Sequence, residues 1–154
     1  MKKERVLFNM NNFTVNIKKL YEDSELPTRG SAYAAGYDLY AHEYAAILPH
    51  QTMKVGTGVA ITPPEGMFGA IFARSGLATK QGLRPANCVG VCDEDYTGEY
   101  IVAIHNDTDE TKYIEQGDRI AQLVFLPYVS VDFNVVDDLK ETKRGDGGFG
   151  STDI

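Results

Sequence analysis

Before residue 110 the chain carries no apolar stripe at helical spacing; its apolar residues come in short alternating or continuous runs punctuated by glycine and proline. A chain so patterned builds strands. Phe13, Val15 and Ile17 alternate with Thr14, Asn16 and Lys18, which predicts a half-buried strand. Leu20–Gly36 reads as irregular, and Tyr37–Ala41 resumes as a strand with Asp38 on the face opposite Tyr37 and Leu39. Pro49, the Gly56/Gly58 pair and Pro63-Pro64-Glu65-Gly66 then separate three strand-like pieces, Met53–Val55, Val59–Ile61 and Met67–Ala73. Later, Arg119–Leu126 reads as a strand with Ile120, Gln122, Val124 and Leu126 on one face, and Val129–Val136 as a last strand. The reading is an all-β body, and at 154 residues one domain able to bury its own core.

Asn87–Glu99 is the unusual stretch. Small apolar residues at 88–92 run into Asp93, Glu94 and Asp95, Gly98 marks a turn, and Tyr100–Ile104 is again strand-like, which predicts a β-hairpin. Asn87, Val89, Val91 and Asp93 then share one face. Asp93, three residues before Tyr96, reads either as a general base beside a flat platform or, with Glu94 and Asp95, as a turn former in water. Gln122 interrupts an apolar stripe and reads as a structural hydrogen-bonder or as a ligand contact.

A net charge of −7 argues against a nucleic-acid polymer as main partner, whose footprint is a basic stripe. The apolar run at Val6–Phe8 is too short for a signal-peptide core and no later run approaches a membrane span, so the expectation is a soluble chain in the cytoplasm, or the host-cell cytoplasm if viral. In an extended segment Cys88 and Cys92 lie about 13 Å apart on one face, too far for a disulfide. Both read as small buried hydrophobes, and His42, His50 and His105 as structural or exposed.

Two further stretches carry chemistry. Ala73-Arg74-Ser75-Gly76-Leu77-Ala78 ends a strand with a cation, a hydroxyl and close backbone N–H groups, either an anion site or a plain turn, with Lys80 and Arg84 in the loop that follows. The tail from Lys143 has four glycines in six residues, yet carries Arg144, Phe149, Ser151 and Thr152; it reads as a disordered terminus or as a flap for a flat, phosphorylated ligand. A Walker loop needs Lys where Ser151 stands and a helix after it, so a P-loop NTPase is excluded.

With Ala35–Ala41 (AGYDLYA) and Gly117–Leu123 (GDRIAQL), these stretches closely resemble the five motifs of the homotrimeric dUTPases, in family order from about Phe13 to Thr152. Departures are mild: Ala73 where proline is common, Cys92 where isoleucine is usual, Asp146 and Asp153 in the tail. The resemblance implies a jelly-roll-like (β-clip) subunit at 1–142 and a flexible glycine-rich tail at 143–154. It implies that Asp93 is the general base for water attack on the α-phosphorus of dUTP, and that Tyr96 packs on the deoxyribose and leaves no room for a 2′-hydroxyl. Asn87, Gly90, Val91 and Ile101 would line the uracil slot. Arg74, Ser75, Gly76 and Gln122 would hold the phosphates, and Arg144, Phe149, Gly150 and Ser151 would close from the tail, with Asp38 in support. Mg²⁺ would ride on the phosphates and water rather than on side chains. Each site would be shared between the subunits of a homotrimer.

Two rival readings stand beside this one. Asp93–Thr97 also matches the DxDx[T/V] nucleophile motif of haloacid-dehalogenase-type phosphatases, but that fold alternates strands with helices, whereas another strand follows Gly98 here. The other is a non-catalytic or dual-role nucleotide-binding or regulatory protein on the same β fold. The related dCTP deaminases are not expected to carry this Asp93/Tyr96 hairpin or this tail.

Overall fold

Alternation and punctuation leave eleven strands and one short helix in the computed structural model, which describes residues 13–148. The strands are β1 (Asn16–Lys19), β2 (Thr28–Arg29), β3 (Tyr37–Tyr40), β4 (Ala45–Ile47), β5 (Thr52–Thr62), β6 (Met67–Phe72), β7 (Leu83–Pro85), β8 (Val89–Cys92), β9 (Glu99–Asn106), β10 (Lys112–Ile114) and β11 (Arg119–Pro127), with α1 (Ser75–Gln81) between β6 and β7. All ladders are antiparallel: a four-stranded sheet in the order β1-β5-β9-β7, a five-stranded sheet β2-β3-β11-β6-β8, and the pair β10-β4. One apolar cluster joins the two larger sheets, with Val55, Val59, Tyr100, Val102 and Ile104 from one and Leu39, Ile71, Ala121 and Leu123 from the other. Each Val, Leu or Ile among them contributes about 1.5–3 kcal/mol by leaving water. The fold is all-β, as expected. Among the described residues no helix is long and apolar enough to cross a membrane.

The predicted hairpin is not one. Its first arm, β8, pairs with β6, while its second, β9, lies between β5 and β7 in the other sheet. The Asp93–Gly98 turn therefore crosses from one sheet to the other. Local sequence shows two strands and a turn, but not that each arm finds a better partner far along the chain. The alternation itself holds: Gly90 and Cys92 point inward, Val89 and Val91 outward.

Four other expectations change. Arg74–Ala78 and Lys80 are not a turn and loop, because α1 occupies Ser75–Gln81 and ends on Gly82, whose φ of 67° lets its N–H reach Leu77 O. No α1 residue is fully buried, so the helix has no apolar stripe to betray it; Arg84 lies in β7. The Gly56/Gly58 pair does not end a strand: β5 runs through it, with a register shift between Gly56 and Ala60, and Glu99 accepts the Gly58 N–H at 2.7 Å. A second irregularity, between Arg119 and Ala121, buries both Ile120 and Ala121 and turns Gln122 away from the face that Leu123 gives to the core. Cys92 is buried but Cys88 is exposed, at a φ of 61° that takes its side chain out of the strand pattern.

Val129–Val136 forms no ladder among the described residues, and Val129, Val131, Phe133 and Val135 are 84, 61, 93 and 95% exposed. The alternation that predicted a strand is real; what is lacking among the described residues is a partner for it. The histidines are structural or exposed: His42 stacks on Tyr21, His105 bonds Thr52, and exposed His50 bonds Asp109.

Candidate active site

The end of β6 is held from behind. Gln122 donates its amide N–H to Ala73 O at 2.8 Å, a bond that fixes the strand end. Gly36 leaves room for that amide, since a Cβ there would stand 2.6 Å from Gln122 Oε1. Arg74, extended at φ −87°, donates from Nε to Asp38 Oδ1 at 2.8 Å and from Nη1 to Arg119 O at 3.1 Å. Arg119 donates in turn to Asp38 Oδ2 at 3.2 Å. A mostly buried carboxylate thus braces two guanidinium groups on neighbouring strands, and Arg74 Nη2 has no partner among the described residues. Ser75 and Gly76 are next, with nothing within 4 Å of where a Gly76 Cβ would be. The result is an open, cationic, hydroxyl-bearing rim.

The second set is the crossing turn. Asp93 is exposed, accepts no side-chain hydrogen bond among the described residues, and lines a cleft of about 640 Å³ with Phe68, Val91, Glu94, Asp95 and Tyr128. Tyr96 N–H closes the turn on Asp93 O at 3.1 Å. The Tyr96 ring leans on buried Tyr100, with centroids 6.2 Å apart, and its hydroxyl donates to Glu99 O at 2.9 Å. It also lies directly over Gly98, where a Cβ would come within 2.6 Å of Tyr96 Oη and 2.7 Å of Cζ. Tyr96 is therefore fixed before any ligand arrives, and only glycine at 98 permits that placement.

Beside it, Asn87 reaches toward Gly90: a Gly90 Cβ would stand 3.5 Å from Asn87 Nδ2 and 3.1 Å from Ile71 Cβ. Val91 and Ile101 are large apolar side chains left 62 and 45% exposed, one on each sheet. Beneath them Cys92 is pushed up to about 11, chiefly by burial, which keeps the thiol neutral and inert.

These two sets do not meet within one chain. The register places Phe72 opposite Val89 and Gly69 opposite Cys92, so Asp93 falls beside Phe68 at one end of β6 while Arg74 follows the other end. From Phe68 to Arg74 the strand spans about 20 Å. Arg144 is exposed and its Nε donates to Gly147 O at 2.9 Å, while Phe149, Gly150 and Ser151 lie outside the described residues.

The dUTPase family model matches residues 22–153. The chain belongs to the dUTPase family. A deoxyuridine 5′-triphosphate nucleotidohydrolase of Desulfitobacterium hafniense is 47% identical over 150 residues, covering 94% of this chain and 99% of that one. Among solved structures, the dUTPase of Staphylococcus bacteriophage 80alpha with dUPNHPP superposes with a TM-score of 0.85 at 28% identity, over 93% of this chain and all of that one. A mutant dUTPase from phage phi11 of S. aureus, described for the coordination of a structural Mg(II) ion, gives 0.77 at 25% identity, over 84% and 100%.

Two residues that shape the site lie outside the sequence reading of it, Arg119 and Glu99. Arg119 is legible in Gly117–Leu123 as a cation; Glu99, which holds both the β5 irregularity and the Tyr96 hydroxyl, carries no signal of that role.

Proposed function

We propose that this chain, a dUTP diphosphatase, hydrolyses dUTP to dUMP and pyrophosphate at sites built from more than one copy of itself. The observation that carries the sharing is the separation of Arg74 from Asp93 by the length of β6, far beyond the reach of one triphosphate. If Asp93 acts at the α-phosphorus while Arg74, Ser75 and Gly76 hold the phosphate chain, the two sets come from different subunits. The uncovered apolar residues of Val129–Val136 supply surface for such an assembly. A homotrimer with a shared tail fits this best.

In the reaction, Asp93 takes a proton from a water, the hydroxide oxygen bonds the α-phosphorus, and the bond to the bridging oxygen breaks so that pyrophosphate leaves with the electron pair. A positioned base supplies roughly 10²–10⁴-fold, so positioning and charge stabilisation must supply the rest. Gln122, held by its bond to Ala73 O, joins Arg74, Ser75 and Gly76 on the phosphate chain, and Asp38, through Arg74 and Arg119, keeps that rim in place. Asn87, Gly90, Val91 and Ile101 line the uracil slot, and Arg144, Phe149, Gly150 and Ser151 close over the ligand from the tail. Among the described residues no three His, Cys, Asp or Glu side chains gather into a metal cage; this donor set fits a hard cation that arrives on the phosphates and keeps its waters. Mg²⁺ so bound neutralises phosphate charge.

The test is pyrophosphate release, with Mg²⁺, from dUTP, dTTP, dCTP and UTP: dUTP is turned over far faster than the others, and equal turnover of UTP would contradict the role of Tyr96. A sharper version uses Gly98→Ala. Because the added methyl must displace the Tyr96 ring, the ratio of UTP to dUTP turnover rises about tenfold; an unchanged ratio would show that the ring does not read the sugar.

A further inference from the structure

Glu94 belongs to none of the roles above, yet it is the most tied-down of the three acids in the crossing turn. Its Oε2 accepts the backbone N–H of Gly66 at 2.8 Å and the hydroxyl of Tyr128 at 2.7 Å. Gly66 sits in the β5–β6 turn with a φ of 73°, closed by Met67 N–H on Pro64 O at 3.0 Å. Its own carbonyl accepts the Tyr128 N–H at 3.2 Å. Three segments distant in sequence, the β5–β6 turn, the crossing turn and the residue after β11, are thus closed into a triangle of hydrogen bonds. Asp93 is covalently next to one corner and makes no side-chain bond of its own among the described residues. Otherwise the turn around it is held by the Tyr96 N–H to Asp93 O bond, the Tyr96 hydroxyl on Glu99 O, and bulk on one side from the Tyr96 ring.

From this we infer that Glu94, clamped by Gly66 and Tyr128, is a positioning residue that fixes where the Asp93 carboxylate stands in its cleft. The inference rests on the reading of Asp93 as the base. The physical reason is that a carboxylate on an exposed turn samples many positions, whereas a misplacement of about 1 Å can cost roughly 10²-fold in rate. Charge-assisted hydrogen bonds to Glu94 are the stronger kind, and two converge on one oxygen. The same contacts hold the Glu94 carboxyl below its usual range, the Tyr128 hydroxyl first and the Gly66 N–H second, and they raise the Tyr128 phenol. Asp95, its neighbour in the turn, has no such ties among the described residues and is not expected to share the role.

The experiment compares Glu94→Ala, Glu94→Gln, Tyr128→Phe and the Glu94→Ala/Tyr128→Phe pair in the full-length protein with dUTP and Mg²⁺. Glu94→Ala lowers kcat about tenfold with KM within about twofold, because the base is displaced while the nucleotide contacts remain. Glu94→Gln, which keeps an oxygen that accepts both bonds, stays within about threefold of the parent. Tyr128→Phe falls between them, and the double variant is no worse than Glu94→Ala, since both remove one clamp. A loss carried by KM, a Glu94→Gln as slow as Glu94→Ala, or an additive double variant would overturn the inference. Amide hydrogen exchange in the unliganded protein separates this from the reading of the site itself. Faster exchange at the Tyr96 amide in Glu94→Ala supports the clamp whatever the parent's activity, and unchanged exchange overturns it. Absence of any parental pyrophosphate release from dUTP would instead sink the proposed function.

Discussion

Asp93→Asn lowers kcat for pyrophosphate release from dUTP by roughly 10²–10⁴-fold while dUTP affinity changes by less than about twofold. The substitution keeps size and shape and removes only the ability to take a proton. Asp93 is exposed and accepts no side-chain hydrogen bond among the described residues, so no buried partner is orphaned and the fold has nothing to lose. Steady-state kinetics beside calorimetric titration with dUTP make the measurement. If affinity fell along with turnover, Asp93 would be a binding residue and the base would have to be sought elsewhere in the cleft.

The second large effect is at the other end of β6. Arg74→Ala reduces kcat/KM for dUTP by roughly 10²–10³-fold, the size of loss seen when one donor to a developing charge is removed. Two things go at once: the guanidinium proposed to face the phosphates, and one of the two braces on Asp38, leaving it Arg119 at 3.2 Å. Arg74→Lys restores charge without the fork that serves Asp38 and a phosphate together, so it recovers little of the loss. The deficit grows from dUMP to dUTP when affinities are compared. An equal loss for all the nucleotides would mean that Arg74 supports the fold of the site rather than the phosphate chain.

The sequence was most informative where chemistry is local. The apolar patterns of Tyr37–Tyr40, Met67–Phe72 and Val89–Cys92 named strands that form, and the clustering of Arg74, Ser75 and Gly76 and of Asp93 and Tyr96 named the two halves of the proposed site. It was least informative about pairing. The apparent hairpin at Asn87–Ile104 divides between two sheets because β8 and β9 each bury their inner face against strands remote in sequence. Gln122 looked like a flaw in an apolar face only because the irregularity at Arg119–Ala121, invisible to a strict period of two, shifts which residues point inward. The helix at Ser75–Gln81 stayed hidden for the opposite reason, burying no full side chain and so needing no pattern. Val129–Val136 shows the limit of a single chain: its alternation asks for a partner that no strand among the described residues provides.

That limit is also the centre of the account, and mixing two inactive variants tests it most directly. Asp93→Asn and Arg74→Ala proteins, each nearly inactive, are unfolded together in equal amounts, refolded and assayed with dUTP. With the base and the phosphate-holding rim drawn from neighbouring copies of a trimer, three of every four trimers are mixed. Each mixed trimer holds one site with both groups intact, so about a quarter of parental turnover returns. No recovery, from a refolded mixture whose trimers are shown to have exchanged subunits, would place Asp93 and Arg74 in the same chain's site and contradict the account.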